Sequence, residues 1–121
     1  MQGRFDHDRH ARLVERLAQP ASVGQCLAYA DMMDVPPQFD VFARRHFAEH
    51  HAAAGMAWRD ACPAYALALM VYRSYRLPED AAQIETLWEE LAPSRLAWRD
   101  AKAIVADVWN GMDRDEALAG G

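Results

Sequence analysis

Residues 84–91 place apolar side chains at positions i, i+3, i+4 and i+7, which are Ile84, Leu87, Trp88 and Leu91. Because an α-helix has 3.6 residues per turn, this spacing puts the four side chains on one helix face. Intervals of three and four recur along most of the chain, and no stretch shows the sustained apolar–polar alternation of a half-buried strand. The sequence therefore predicts an all-α fold.

Prolines and glycines divide this pattern into six predicted helices. They run from about 7 to 18, from 22 to before Pro36, from 38 to 54, from 63 to 76, from 78 through 91, and from 94 to 110. Pro63 is expected in the first turn of the fourth helix, where a proline loses no hydrogen bond. Gly55 and Gly111 are expected to end the third and sixth helices, because glycine accepts the left-handed conformation.

The length of 121 residues fits a single domain, 1–121, built as a compact bundle of five or six short helices. The predicted fourth helix is apolar on every side over 64–72, which is typical of a central helix. We expect residues 39–112 to form the core helices, residues 1–38 to cover them as an N-terminal helical unit, and residues 113–121 to form a flexible tail.

Charge and hydropathy exclude several classes of partner. The net charge is −5, and the basic residues are scattered, so nucleic acid is not an expected partner. The longest uncharged run, residues 61–72, is about half of the roughly 20 residues that a membrane-spanning helix needs. No leader-like segment opens the chain, so we expect a cytoplasmic protein with no membrane partner. Twelve arginines against one lysine suggest a bacterial, GC-rich source.

The sequence HFAEHH places His46, Glu49 and His50 in the order H-x-x-E-H that one class of zinc peptidases uses. On a helix, His46 and His50 lie on the same face, as two imidazole ligands of one zinc ion require. The same face also carries Phe39, Ala43, Phe47 and Ala54, which favours histidines packed at the edge of the core. We expect no cofactor here, and a zinc site at His46, Glu49 and His50 is the alternative.

Cysteine and aromatic residues offer further candidates. Cys26 and Cys62 follow no disulfide or metal spacing, and Cys62 is either a small buried residue or a redox-active thiol near a helix start. The tryptophans and tyrosines of the second half are predicted to form core, a ligand cage or an interface. The sixth helix keeps a coiled-coil-like spacing, and Trp98, Val105 and Trp109 are therefore predicted to form an interface between two copies of the chain.

The pentapeptide Ala57-Trp58-Arg59-Asp60-Ala61 recurs unchanged at residues 97–101. The similarity fades beyond these five residues. Duplication of a helical unit and coincidence in a chain rich in alanine and arginine both remain open, whereas a solenoid would need three or more copies.

Residues 42–112 carry a pattern that occurs in one order. It consists of an aromatic and histidine-bearing helix over 42–55, then Pro63-Ala64-Tyr65, then Trp88-Glu89, and finally Trp98 with Ala101, Val105 and Trp109. This pattern resembles a family of small bacterial proteins associated with stress-response genes. The chain departs from the family after Tyr65, where residues 66–69 are apolar rather than polar. The resemblance implies a link to stress and no catalytic residues.

We therefore expect a non-enzymatic helical protein that acts in stress by binding a protein partner or a second copy of itself. A metal-binding protein centred on His46, Glu49 and His50 is the alternative function.

Overall fold

The computed structural model describes residues 7–18, 37–72, 74–77, 79–91 and 96–115. The described part contains five α-helices: α1 (His7–Ala18), α2 (Pro37–His50), α3 (Trp58–Val71), α4 (Ala81–Glu90) and α5 (Trp98–Arg114). A short 3₁₀ turn, Ala52–Ala54, follows α2. The described residues form no strand, so the predicted all-α bundle is confirmed. The helix predicted to begin at residue 22 lies outside the described residues.

Helix α3 lies at the centre, in contact with α1, α2 and α5, while α4 packs on α5. Its side chains are buried on nearly every face, as the apolar run 64–72 predicts. Helix α1 runs antiparallel to α3, since His10 Nε2 donates to the Pro63 carbonyl at 3.0 Å and the Trp58 indole reaches the Leu17 carbonyl. Helix α5 runs parallel to α3, because the Trp109 indole donates to the Ala68 carbonyl and Tyr72 contacts Asp113.

One polar cluster joins α1, α2 and α3. The Leu17 carbonyl, near the end of α1, accepts hydrogen bonds from Trp58 Nε1 at 2.8 Å and from Arg44 Nη2 at 2.9 Å. Arg44 Nε is 3.1 Å from both carboxylate oxygens of Asp40, and its guanidinium lies over the Trp58 ring. Because the last carbonyls of a helix have no partner within the helix, these contacts satisfy one of them while they fix α1 on α3.

The predicted start of the central helix at Pro63 was wrong. Helix α3 begins five residues earlier at Trp58, with Ala57 extended before it, and ends at Val71 rather than 76. The Asp60 and Ala61 amides both bond to the Ala57 carbonyl, so the helix is already established before the proline. Pro63 is thus the sixth residue of α3, beyond the first turn in which a proline loses no hydrogen bond, and it leaves one backbone hydrogen bond of the helix unmade.

Gly111 does not end the last helix, contrary to expectation. Helix α5 continues to Arg114, and Gly111 is buried within it. A Cβ at this position would lie 2.7 Å from Cζ of Phe42, so only glycine lets the Phe42 ring approach the α5 backbone without a shift. Gly55 has a φ of 87°, which is the left-handed conformation predicted for it, but it ends the 3₁₀ turn Ala52–Ala54. Helix α2 itself ends at His50, before the predicted end at residue 54.

The repeated pentapeptide occurs at two equivalent helix starts. Ala57 and Ala97 both precede a helix in extended conformation, and the amides of Asp60 and Asp100 each bond to those alanine carbonyls at 3.0 Å. Since α3 and α5 are parallel and the Trp109–Ala68 contact spans 41 residues, the two copies also lie at nearly matching levels of the bundle.

None of the helices in the described ranges is long and apolar enough to cross a membrane.

The stripe predicted as an interface lies inside a single chain. Val105 is fully buried, Trp109 is 7% exposed, and Trp98 is half-buried at the start of α5. The indole nitrogen of Trp109 donates to a carbonyl of α3 at 2.8 Å, so α3 covers this face of α5. Self-association through Trp98, Val105 and Trp109 would therefore require α3 to move away, and we do not propose it.

Candidate functional site

His46 lies between three helices and has both ring nitrogens in hydrogen bonds. Its Nδ1 is 2.7 Å from the Tyr65 hydroxyl of α3, and its Nε2 is 3.2 Å from Asp107 Oδ2 of α5. A carboxylate only accepts, so Nε2 carries the proton and Nδ1 of the neutral ring accepts from Tyr65. Burial lowers the pKa of His46, although Asp107 acts in the opposite direction, and burial raises the pKa of Tyr65. The network is therefore Tyr65–His46–Asp107 with a neutral imidazole.

Two further histidines complete a cluster at the end of α2. The ring centroids of His50 and His51 lie 4.5 and 5.5 Å from that of His46. Burial lowers the pKa of His51, and the neighbouring His50 lowers it further. Protonation of both His46 and His51 would place two positive charges close together, which opposes their protonation in the folded chain.

The predicted zinc ligands His46, Glu49 and His50 do not form a ready coordination site. Both nitrogens of His46 are already bonded, and the Glu49 side chain is exposed. Within the ranges that the structure describes, no group of three or more histidine, cysteine or acidic side chains is arranged to hold a metal ion. A zinc site here stays a prediction, and it would require His46 to release Tyr65 or Asp107.

Cys62 packs in the core of the bundle. It is fully buried in the first half of α3, and burial raises the pKa of its thiol to about 12. A reactive cysteine needs the opposite shift, because the thiolate is the nucleophile. This favours the reading of Cys62 as a small buried residue.

The histidine cluster leads to a testable pH dependence. His10, His46 and His51 all have a pKa lowered by burial, so the folded chain binds fewer protons than the unfolded chain below the ordinary histidine value of 6.5. We expect the free energy of unfolding to be fully retained above pH 6.5 and to fall as the pH drops from there towards the lowered values. Urea denaturation at pH 7.5 and pH 5.5 measures this.

The variant His46→Gln should flatten that pH dependence, because one of the three protonation differences is then absent. An unfolding free energy that stays constant from pH 7.5 to 5.5 in the parent chain would show that these rings titrate as exposed histidines do.

Beside the cluster, a groove runs between α2 and the C-terminal half of α5. One end, of about 300 Å³, is lined by His46, His50 and Asp107, and the other, of about 660 Å³, is lined by Val41 and Gln38. The two ends share four lining residues, which are Phe42, Arg45, Gly111 and Arg114. They are therefore one continuous surface, which we call the α2–α5 groove.

The floor of the α2–α5 groove is apolar. Val41 is 59% exposed, and it is the large hydrophobic residue that is exposed among the described side chains. The Phe42 ring lies against the backbone of Gly111 and stacks on His46 at a centroid distance of 5.8 Å. Because Gly111 has no side chain, the Phe42 ring can lie against α5 and form the floor of the groove.

Two arginines, Arg45 on α2 and Arg114 on α5, flank this floor. Both side chains are exposed, and Arg114 Nε donates to the Asn110 carbonyl at 3.3 Å. Neither guanidinium forms an ion pair with a carboxylate in the part of the chain that the structure describes. Asp115 lies at the same end of the groove. The arrangement presents two cations on opposite sides of an apolar surface.

Sequence patterns predicted His46 and His50 on the inner face of their helix, and His46 is buried there whereas the side chain of His50 is exposed. They missed Tyr65 and Asp107, which lie 19 and 61 residues from His46 in the chain. The exposure of Val41 could have been predicted from the sequence, because this apolar residue lies outside the helix face of Phe39, Ala43 and His46.

No protein-family model, curated protein or solved structure matches this chain significantly. The resemblance to stress-associated bacterial proteins therefore stays a prediction.

Proposed function

We propose that this protein is a non-enzymatic helical binding protein, and that its α2–α5 groove holds a segment of a protein partner with aliphatic and acidic side chains. The observation that carries the proposal is the exposed Val41 beside Phe42, flanked by Arg45 and Arg114, which form no ion pair with any described residue. Following the resemblance, we assign this binding to the stress response of a bacterium, in the cytoplasm.

The apolar floor supports a partner with aliphatic side chains. Large apolar side chains that are exposed in a concave surface are typical of interaction sites, since covering them removes apolar area from water. A groove between two helices accepts a segment lengthwise, as in other helical receptors for amphipathic peptides. Val41 and Phe42 would contact the aliphatic face of such a segment.

The charges support an acidic partner. Arginine binds carboxylates with two parallel hydrogen bonds, and Arg45 and Arg114 are available on both sides of the floor. At the Val41 end of the groove, the two arginines outnumber the carboxylates of the lining, where Asp115 is the acidic residue, although the chain as a whole has a net charge of −5. Glu49 and Asp107 line the His46 end, so the acidic side chains of a partner are expected at the Val41 end, and a nucleic acid backbone along the whole groove is disfavoured.

Two features favour binding over catalysis. His46 has no free ring nitrogen with which to take a proton from a substrate, and the Tyr65 hydroxyl is fully buried. A general base must reach the proton it removes within hydrogen-bond distance. Zinc binding at His46, Glu49 and His50 is the alternative function, and the bonded state of His46 does not favour it.

Fluorescence anisotropy with three labelled synthetic peptides tests the proposal. The peptides share the same leucine positions at helical spacing and carry glutamate, glutamine or lysine at the flanking positions. We expect the glutamate peptide to bind most tightly and the lysine peptide most weakly, because Arg45 and Arg114 attract or repel the flanking charge. The variant Arg45→Glu should reduce the difference in affinity between the glutamate and lysine peptides, or reverse their order.

Val41→Glu should abolish binding of all three peptides, since it places a charge on the apolar floor. Ala82→Glu, at an exposed position of α4, adds the same charge elsewhere and should leave binding unchanged. Equal affinity for the three peptides, together with an unchanged affinity of Val41→Glu, would refute the proposal. Circular dichroism of each variant establishes that the fold is intact.

A further inference from the structure

A second cleft lies between the end of α3 and a face of α5. Its volume of about 360 Å³ is in the range of sites for small molecules. Tyr72, Tyr75 and Leu77 line one side, and Lys102, Ala106 and Trp109 line the other. Three phenol and indole rings line this cleft, whereas the large apolar side chains of the α2–α5 groove are Val41 and Phe42.

Two aromatic rings of this cleft, those of Tyr72 and Trp109, are oriented by hydrogen bonds. The indole nitrogen of Trp109 donates to the Ala68 carbonyl at 2.8 Å, and the Tyr72 hydroxyl donates to the Asp113 carboxylate. The rings of Tyr72 and Trp109 lie 6.4 Å apart between centroids at an angle of 58°. A planar ligand would therefore meet oriented walls, and its binding would not have to order these side chains first.

The charge at the rim is positive. Lys102, the single lysine of the chain, and Arg76 both line the cleft with exposed side chains. Neither side chain forms an ion pair within the described ranges. The acidic residue of the lining, Asp113, already accepts the Tyr72 hydroxyl. An incoming anion would thus find two cations and one carboxylate that is already engaged.

We infer that this cleft binds a small planar aromatic anion, with its ring against Tyr72 and Trp109 and its carboxylate next to Lys102. Aromatic walls favour a flat ring through stacking and apolar burial, and the rim selects negative over positive charge. A quaternary ammonium ligand, which aromatic cages also bind, is disfavoured because Lys102 and Arg76 would repel it.

Isothermal titration calorimetry with three probes of equal ring size tests the charge preference. The probes are 2-naphthoate, neutral 2-naphthamide and the cation 2-naphthylmethylammonium. We expect affinity to fall in that order, and we expect Lys102→Met to weaken naphthoate binding roughly fivefold, as for the loss of one partly exposed ion pair. Arg59→Met removes a positive charge from an exposed position at the start of α3, at the opposite end of that helix from Tyr72, and should leave the affinity unchanged.

The single lysine allows a second readout that locates the ligand. Acetylation by N-acetoxysuccinimide, followed by mass spectrometry, reports Lys102 and the N-terminal amine separately. Saturating 2-naphthoate should slow acetylation of Lys102 and leave the N-terminal amine unaffected, both in the parent chain and in Val41→Glu. The inference fails if the amide or the cation binds as tightly as the anion, if no probe binds, or if naphthoate leaves the Lys102 rate unchanged.

Discussion

Replacing Trp88 by alanine should lower the free energy of unfolding by about 3–5 kcal/mol. The Trp88 ring is 4% exposed between α4 and α5, and its indole nitrogen donates to the Leu96 carbonyl at 3.0 Å. Alanine would leave a cavity and an unpaired carbonyl in the same place. Helix α4 would lose its main attachment to the rest of the bundle, since its other buried residue is Ile84.

Urea denaturation followed by circular dichroism measures the loss. Trp88→Phe keeps most of the ring volume and should cost less, while Glu89→Ala at the exposed neighbouring position should change stability by no more than about 0.5 kcal/mol. A denaturation midpoint of Trp88→Ala equal to that of the parent would mean that the ring contributes nothing to the core.

Replacing Val105 by aspartate should have a larger effect and leave most of the chain unfolded at room temperature. Val105 is fully buried in the core cluster, so the carboxylate of an aspartate there would be removed from solvent. Burying such a group costs several kcal/mol, which is a large part of the total stability of a small domain. If Val105 instead contacted a second copy of the chain, the same change would yield a folded monomer.

Circular dichroism and light scattering behind a sizing column distinguish these two results. We expect a loss of helical signal in Val105→Asp at every concentration, and a folded chain in Val105→Ala with a loss of about 2 kcal/mol. A fully helical Val105→Asp variant with half the mass of the parent would identify this stripe as an interface between copies.

The helices were predictable because their apolar spacing is a local property of the sequence. Which element packs against each apolar helix face was not predictable. The stripe of Trp98, Val105 and Trp109 fits an interface and an internal face equally well, since periodicity says which side of a helix is apolar and not what lies against it. The structure places α3 there, and the hydrogen bond from Trp109 to Ala68 fixes the pairing.

The ends of helices were less predictable than their centres, for two physical reasons. Pro63 was taken as a first residue, although it is the sixth residue of α3, where a proline is costly and the surrounding core packing must offset that cost. Gly111 was taken as a terminator, although its missing side chain serves the contact with Phe42. In both cases the residue type has two uses, and the tertiary contact that decides between them is remote in sequence.

The candidate site was predictable only in part. The helical spacing of His46 and Phe47 correctly indicated a face turned towards the core, and both are buried. The partners of His46 depend on how α3 and α5 pack, which no motif reports. The α2–α5 groove likewise depends on helix packing. Arg45 and Arg114 are distant in sequence, and they lie on either side of the Phe42–Gly111 contact only in the folded chain.

Nuclear magnetic resonance mapping of the glutamate peptide on the ¹⁵N-labelled protein tests the proposed function most directly. Binding in the α2–α5 groove predicts that the largest amide shift changes occur at Val41, Phe42 and Arg45 on α2 and at Gly111 and Arg114 on α5. Amides of α4 should change least, since this helix does not line the groove. The largest changes on α4 or along α1, with Val41 and Gly111 unaffected, would contradict the proposal.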